Sequence, residues 1–488
     1  MYRRPTKKQE ITRRIVTYVL MTLSVLTIVS ALVFMLLGYR FDTDNGRIER
    51  GALLQFETIP SGAKVKIDGK TINSKTPAKS SVLSGAHTIV MEKDGYEKWT
   101  KTVDVVAGTL TWFDYVRLVP KNLTTEAVAG YSSMHGSLAS SDGKTMIVQT
   151  VASEPTFDII DLHSDSVKSS TISIPKNLYT NATVIGVAHI FTINAWDSGG
   201  RYVLLQHQYD NNQEWLVIDT KDVARTQNVS ALIDADINSI VFSGTSGNIF
   251  YALTSSGDIV KLDSSTTTIP RALVSGVLSF ELFGTGVITY IGTDQTDLTA
   301  RVVGLYADGD STPHILRSVP ATVSEPLHVA TSHYFNQDYI AISQGHEVDI
   351  LSGIYPPSGS KDSSSMSDFA SFTFNSDVDT LSFSPKGDYL IAKSGDDYTS
   401  YDIEHQVTTN YKVVGSKSLI KWLDNDHTWS DNDDNLAIRE FDGANASSLS
   451  GVVMEQGVAL TSNNRYIYSI GTKSDGGYQL QRVRMQLP

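Results

Sequence analysis

Cysteine is absent from all 488 residues. That excludes disulfide staples, thiolate metal sites and cysteine nucleophiles. Any exported part must hold together through its core alone, which a chain of this length can do. Long apolar runs are also scarce: Ile15 to Tyr39 is one, and no other run approaches 18 residues. The sequence thus provides for a single helical crossing. Basic residues thin out after position 40. Residues 1–40 carry seven of the 40 Lys and Arg and one of the 53 Asp and Glu, which leaves 33 against 52, a net −19, in the remainder. Counterion release needs clustered Lys and Arg, so nucleic acid and anionic lipid are poor candidates for its main partner. His-Glu-x-x-His, G-x-S-x-G, P-loop and dinucleotide signatures are missing. The 11 histidines are scattered. Their nearest grouping, His328, His333 and His346, lacks the ligand spacing of a zinc site. No catalytic residue, metal or cofactor is expected.

What is present begins with a span. Ile15 to Tyr39 contains no charged side chain. As a helix it would be about 37 Å long, enough to cross a hydrocarbon core of about 30 Å with some tilt. Its hydroxyls (Thr17, Thr22, Ser24, Thr27, Ser30) have helix carbonyls within reach. Arg3, Arg4, Lys7, Lys8, Arg13 and Arg14 precede it against one acid, Glu10, whereas Arg40, Arg47 and Arg50 alternate with Asp42, Asp44 and Glu49 behind it. The positive-inside rule makes 1–14 a cytoplasmic basic tail, 15–39 a lipid-facing transmembrane helix and the rest extracytoplasmic, at the cell membrane. A cleaved signal peptide would need a shorter apolar region and a small-x-small site; Leu32 to Arg40 offers neither. Residues 40–50 read as a polar stalk. Phe41 to Gly46 has the acids of a calcium loop, but Gly46 falls one position early and no Glu stands at the twelfth, so metal is rejected there.

Residues 51–120 hold short β-type runs: Leu53 to Phe56, Lys64 to Ile67, His87 to Met91, Thr102 to Val105 and Tyr115 to Leu118. Pro60-Ser61-Gly62, Asp68-Gly69, Ser84-Gly85 and Asp94-Gly95 punctuate them, the pattern of a small all-β sandwich. Tyr96, Trp99, Trp112 and Phe113 are read as its core or edge cover, and His87 as packing. Pro60-Ser61-Gly62-Ala63, Val65-Lys66-Ile67-Asp68-Gly69, Thr76-Pro77, Leu83-Ser84-Gly85-Ala86-His87, Asp94-Gly95-Tyr96 and Leu118 together resemble the PEGA domain, with Ser61 where the family's name has Glu. The resemblance implies a β-sandwich of prokaryotic surface and envelope proteins, a spacer or interaction module without catalysis.

From 121 to 488 a unit recurs: polar turn, apolar strand, loop, and a second strand often ending in Asp. Clear copies start at Ser141-Asp142-Gly143, Ser198-Gly199-Gly200, Ser384-Pro385-Lys386-Gly387 and Ser462-Asn463-Asn464. Weaker ones lie at Gly247, Gly286, Gln337 and Leu423-Asp424-Asn425. Seven intervals over 321 residues average about 46, the period of a four-stranded propeller blade. A blade cannot bury both faces alone, so a ring of seven or eight is expected, closed by Leu123 to Val128 beside Val483 to Leu487. Ser384 to Leu390 resembles the blade motif of WD-type and related bacterial propellers. A β-helix or two stacked sandwiches is the alternative architecture. Tyr355 to Asp377 is read as a long inter-blade loop.

One charged constellation stands out in this region: Asp424, Asp426, Asp431, Asp433, Asp434 and Asn435 beside Trp422 and Trp429. Trp422, Asp424, Asp426, Trp429, Asp431 and Asp433 are the candidate binding surface, because propeller loops carry such sites. Asp431-x-Asp433-x-Asn435 begins like a calcium loop, but Leu436 replaces the Gly it needs. The whole reads as a single-pass, membrane-anchored extracytoplasmic binding or scaffold protein, all β outside the membrane, whose partner is an envelope or surface protein or glycan. The competing class is an anchored hydrolase or lyase acting on wall glycans or peptides. That class requires carboxyls, or a His–carboxylate pair, at the propeller's central pocket.

Overall fold

The structure, a computed structural model, describes residues 7–36, 39–42, 47–181, 188–266, 270–322, 324–355, 366–415 and 420–488. It divides into two compact units, Met1–Asn122 with Leu487–Pro488, and Leu123–Gln486.

In the first unit a helix runs from Lys7 to Leu36. It starts eight residues before the expected span and stops three short of it, with Tyr39 already in a strand. Its apolar stretch, Ile11–Phe34, is long enough to cross a membrane and is not buried against the protein. The hydroxyls of Thr17, Thr22, Ser24 and Thr27 donate to the carbonyls four residues back at 2.8–2.9 Å, so hydrocarbon need not satisfy them. The expected stalk is partly regular: Tyr39–Asp42 and Arg47–Arg50 pair as a hairpin, with Tyr39 opposite Arg50. Residues 43–46, which carry most of the rejected calcium loop, lie outside the described residues.

The sandwich follows. Ala52–Ile59 lies between Ala78–Val82, antiparallel, and Leu110–Arg117, parallel. The second sheet orders Lys70–Lys75, Lys64–Ile67, Gly85–Glu92 and Trp99–Val105. Strand alternation sends Leu54, Phe56, Val65, Ile89, Met91 and Phe113 inward. Phe56 and Phe113 stack at 5.6 Å, and Trp99 meets Phe113 edge-on at 6.0 Å. Tyr96, Trp99 and Phe113 fill this core as expected, but Trp112 does not; it points outward, 48% exposed. His87 is more than packing, since its Nδ1 sits 2.6 Å from Asp68.

In the second unit the described residues form eight four-stranded antiparallel sheets. Seven are continuous in sequence, and we number them blades 1 to 7: residues 136–173, 190–228, 237–274, 277–320, 327–373, 380–412 and 421–451. Blade 8 takes three strands from 459–484 and its outermost from Thr125–Tyr131, which pairs with Tyr478–Arg484. The ring thus closes by joining chain start to chain end, with Thr125 opposite Val483, as the sequence suggested. Apolar clusters weld neighbours together. Ile147 and Phe157 of blade 1 pack with Val203 and Leu205 of blade 2, and Met146 and Val148 of blade 1 pack with Tyr468 and Leu480 of blade 8. The second strand of most blades is covered on both sides and reads as an apolar run, as in Met146-Ile147-Val148 and Val203-Leu204-Leu205, whereas that of blade 7 buries His427, Thr428, Ser430 and Asp431 around Trp429. Those runs made the repeat visible. The expected loop at 355–377 is only partly one: Met366–Thr373 is the outer strand of blade 5, pairing with Glu347–Gly353. Residues 356–365 of that loop lie outside the described residues.

The polar turns recur for a physical reason. Each joins the innermost strand of a blade to the next, and a side chain at its start bonds the backbone across it. Ser140 Oγ accepts the N–H of Thr145 at 3.0 Å, Asp197 Oδ1 those of Arg201 and Tyr202 at 2.7 Å, Ser384 Oγ that of Tyr389 at 3.1 Å, and Thr461 Oγ1 that of Tyr466 at 3.1 Å. Gly143, at φ +64°, has the carbonyl oxygen of Leu460 where a Cβ would stand, 2.1 Å away, so only glycine fits.

The seam of blade 8 is held by one cation. Arg482 Nε and Nη2 donate to the two oxygens of Glu126 at 2.9 and 3.0 Å, and Nη1 donates to the carbonyl of Asp165 at 2.8 Å. The guanidinium lies 4.3 Å over the ring of Tyr466. Replacing Arg482 with Ala should lower stability by about 2 kcal/mol in denaturant unfolding, because a buried charged donor loses several partners together. Glu126→Gln should cost less than about 1 kcal/mol, since that carboxylate is mostly in water.

Candidate functional site

The innermost strands line the centre of the ring. Near the end where their inner turns lie is a cavity of about 400 Å³, lined by Glu281 and Phe283 of blade 4, Thr331, Ser332 and His333 of blade 5, and Leu381 to Lys386 of blade 6. Glu281 stands in the strand Val277–Phe283. Among the described residues it is the one acid on any innermost strand. Crowding by protein pushes its carboxyl up to about 7, and no neighbouring cation contributes. The side chain of Glu281 is nevertheless exposed to the open channel, so water opposes much of this push, and only its direction is used. A carboxyl with raised proton affinity beside a cavity is a candidate binding group. At the cavity's edge His333 Nδ1 lies 2.7 Å from Asp338 Oδ1, while Asp338 Oδ2 accepts the N–H of Tyr355 at 2.6 Å. The acid therefore orients the imidazole.

Of the six residues singled out in the sequence, Trp422, Asp424 and Asp426 precede the strand His427–Asn432, Trp429 and Asp431 lie within it, and Asp433 follows it. Trp422, Asp424 and Asp426 belong to the inner turn of blade 7, on the cavity's side of the ring. Trp422 Nε1 donates to Ser382 Oγ, a cavity-lining hydroxyl, at 3.0 Å. Asp424 Oδ1 accepts the N–H groups of Asp426 and His427 at 2.9 and 2.7 Å, the same turn-forming task that Asp197 performs in blade 2. Burial, then the charge of Asp424, pushes Asp426 up to about 6. Between them Asn425 clasps blade 6: its Oδ1 accepts the N–H of Lys386 at 2.8 Å and its Nδ2 donates to Asp388 at 2.9 Å. Trp422 and Asn425 therefore reach residues of the cavity lining, and Asp424 and Asp426 flank Asn425 in the same turn. Trp429 and Asp431 are buried in the blade. Asp433, at φ +49°, forms with Asp434 the two-residue turn before Asn435–Glu440, where Asp suits the left-handed backbone. No group of three or more His, Cys, Asp and Glu among the described residues is placed to hold a metal. Of the three histidines in blade 5, only His333 reaches the cavity.

The sequence reading missed Glu281. Its one signal was position: the acids of this unit favour turns, whereas Glu281 lies in mid-strand between Phe280 and Leu282.

Residues 52–122 match the family model of the PEGA domain, so this stretch is a PEGA domain, starting and ending within two residues of the expected bounds. No match is found among curated protein sequences. Among solved structures the chain is similar to the WD40 domain of SCAP from fission yeast, at 12% identity and TM-score 0.45 over 74% of this chain and 98% of that one. It is similar also to the yeast Nup82-Nup159-Nup116 nucleoporin complex, at 11% identity and TM-score 0.41 over 67% and 98%. A third is the Cps50 (Swd1) β-propeller domain of Myceliophteria thermophila, at 12% and 0.37 over 73% and 99%. The propeller assignment rests on the order of the sheets.

Glu281 should give stability a pH dependence of definite sign. Its carboxyl holds a proton more tightly when folded than when unfolded, so the protonated form favours the fold. That contribution is complete below about pH 4.5 and is lost as pH rises through about 7. Glu281→Gln should raise the denaturation midpoint at pH 8 while leaving it unchanged at pH 4. Parallel pH profiles for the two proteins would contradict this.

Proposed function

We propose that the chain is a single-pass membrane protein, its tail cytoplasmic and its β units extracytoplasmic, that binds an envelope or surface protein or glycan. The observation that carries the reading is the apolar helix Ile11–Phe34, left unburied by every other part of the protein and followed by units built almost wholly of strand. The binding surface on this reading is the channel mouth: Glu281 and the hydroxyls around it, extended by Trp422, Asp424 and Asp426. Trp429 and Asp431 serve the packing of blade 7 instead, and Asp433 its outer turn. A prokaryotic surface setting follows from the PEGA module as an expectation.

The hydrolase reading draws on two observations, the raised Glu281 and the His333–Asp338 pair. Two-carboxylate glycoside chemistry needs a second acid facing the first, and Glu281 is the one carboxylate in the lining of this cavity. A nucleophile activated by His333 would need a hydroxyl within hydrogen-bond reach of Nε2. No such bond is found among the described residues, so binding is the reading we adopt.

Sidedness tests it. In this cysteine-free chain, Ser474→Cys should react with a membrane-impermeant maleimide on intact cells, and Gln9→Cys only after permeabilisation. The reverse pattern, or release of the protein by carbonate washing, would overturn the anchored reading.

A further inference from the structure

We propose that one edge of the PEGA domain docks on the outer membrane–water interface beside the spanning helix, through Val106, Leu110 and Trp112; this rests on the anchored reading above.

The backbone fixes where this edge lies. Tyr39 is three residues beyond the end of the helix, at most about 11 Å of chain, and its ring meets Phe34 edge-on at 5.5 Å. Hairpin pairing sets Arg50 opposite Tyr39, so the chain re-enters the sandwich at Gly51 beside the point where it left the helix. The N–H of Gly108 donates to the carbonyl of Gly51 at 2.9 Å, and that of Leu53 to the carbonyl of Thr109 at 3.0 Å. In the parallel register that follows, Leu110 lies beside Leu53 and Trp112 beside Gln55. Val106 and Leu110 thus lie at the end of the sandwich nearest the helix, with Trp112 two residues further along the same strand. The opposite end, at Ser61, is a whole strand away, about 26 Å.

These three side chains are 64, 44 and 48% exposed although the core inside them is complete. Leu110 and Trp112 share one face of their strand, because Phe113 points in. Trp and Leu at this depth match the membrane interface, where an indole keeps its ring among lipid carbonyls and its N–H in contact with water. No Lys or Arg occurs between positions 102 and 116, and Asp104 and Asp114 flank the patch. The attraction is therefore apolar, and neutral lipid suffices. A domain held this way cannot swing freely on its tether.

The absence of native cysteine allows single labelled thiols in the full-length protein. Thr109→Cys, which leaves all three docking side chains in place, Ser61→Cys and Ser24→Cys are each labelled with an environment-sensitive fluorophore and reconstituted into phosphatidylcholine vesicles carrying nitroxide in the headgroup or the acyl chain. The expected result is acyl-chain quenching at 24 and headgroup quenching at 109 severalfold above that at 61, unchanged by added phosphatidylglycerol. Quenching at 24 with no excess at 109 overturns the docking and leaves the anchor standing. Quenching at 109 that requires phosphatidylglycerol overturns its apolar basis. Loss of acyl-chain quenching at 24 overturns the anchor and the docking together.

Discussion

The pairing of Thr125–Tyr131 with Tyr478–Arg484 is the constraint on which the second unit depends. A blade is covered on each face by its neighbours, so a chain of blades left open would expose two apolar faces and an unpaired strand edge. Closure converts eight marginal sheets into one core. It also sets the distance between the innermost strands and therefore the width of the cavity. Arg482 sits in this seam with partners on three different segments, Glu126, Asp165 and Tyr468. Since no disulfide exists to tie the ends, strand pairing, packing and this cation do that work.

Much of the architecture was legible because it follows from local rules. The buried second strands betray themselves as apolar runs, and the turns before them must bond their own backbone, so Ser, Thr or Asp recurs at their start. The PEGA domain showed through its turn residues for the same reason. Boundaries were less legible. The helix extends to Lys7 because Lys and Arg are good helix formers, and a rule based on apolarity alone cannot see that. The outer strand Met366–Thr373 follows a Ser-rich stretch and faces solvent on much of its surface, so it lacks the apolar signature that marks inner strands.

The site was less legible still. The acidic constellation looked like one surface because its members are neighbours in sequence, but a strand carries consecutive turns to opposite ends of a blade. Trp422, Asp424 and Asp426 therefore fall at the inner turn of blade 7, Trp429 and Asp431 pack within it, and Asp433 forms its far turn. The group with the clearest functional mark, Glu281, has no charged neighbours in sequence. His333 and Phe383, which line the cavity with it, come from other blades, far away in sequence. Similarly, Trp112 and Phe113 are adjacent and chemically alike, and only the register of their strand decides that one is core and the other surface.

The closure of the ring can be tested most directly by native-state hydrogen exchange on the full-length protein in micelles. If the chain ends are joined as described, the amides of Thr125–Tyr131 that bond to Tyr478–Arg484 exchange as slowly as those of the inner strands of blades 1 to 7 and are released together with them in the global unfolding step. Early, independent exchange of Thr125–Tyr131, with the remaining sheets still protected, would contradict the account.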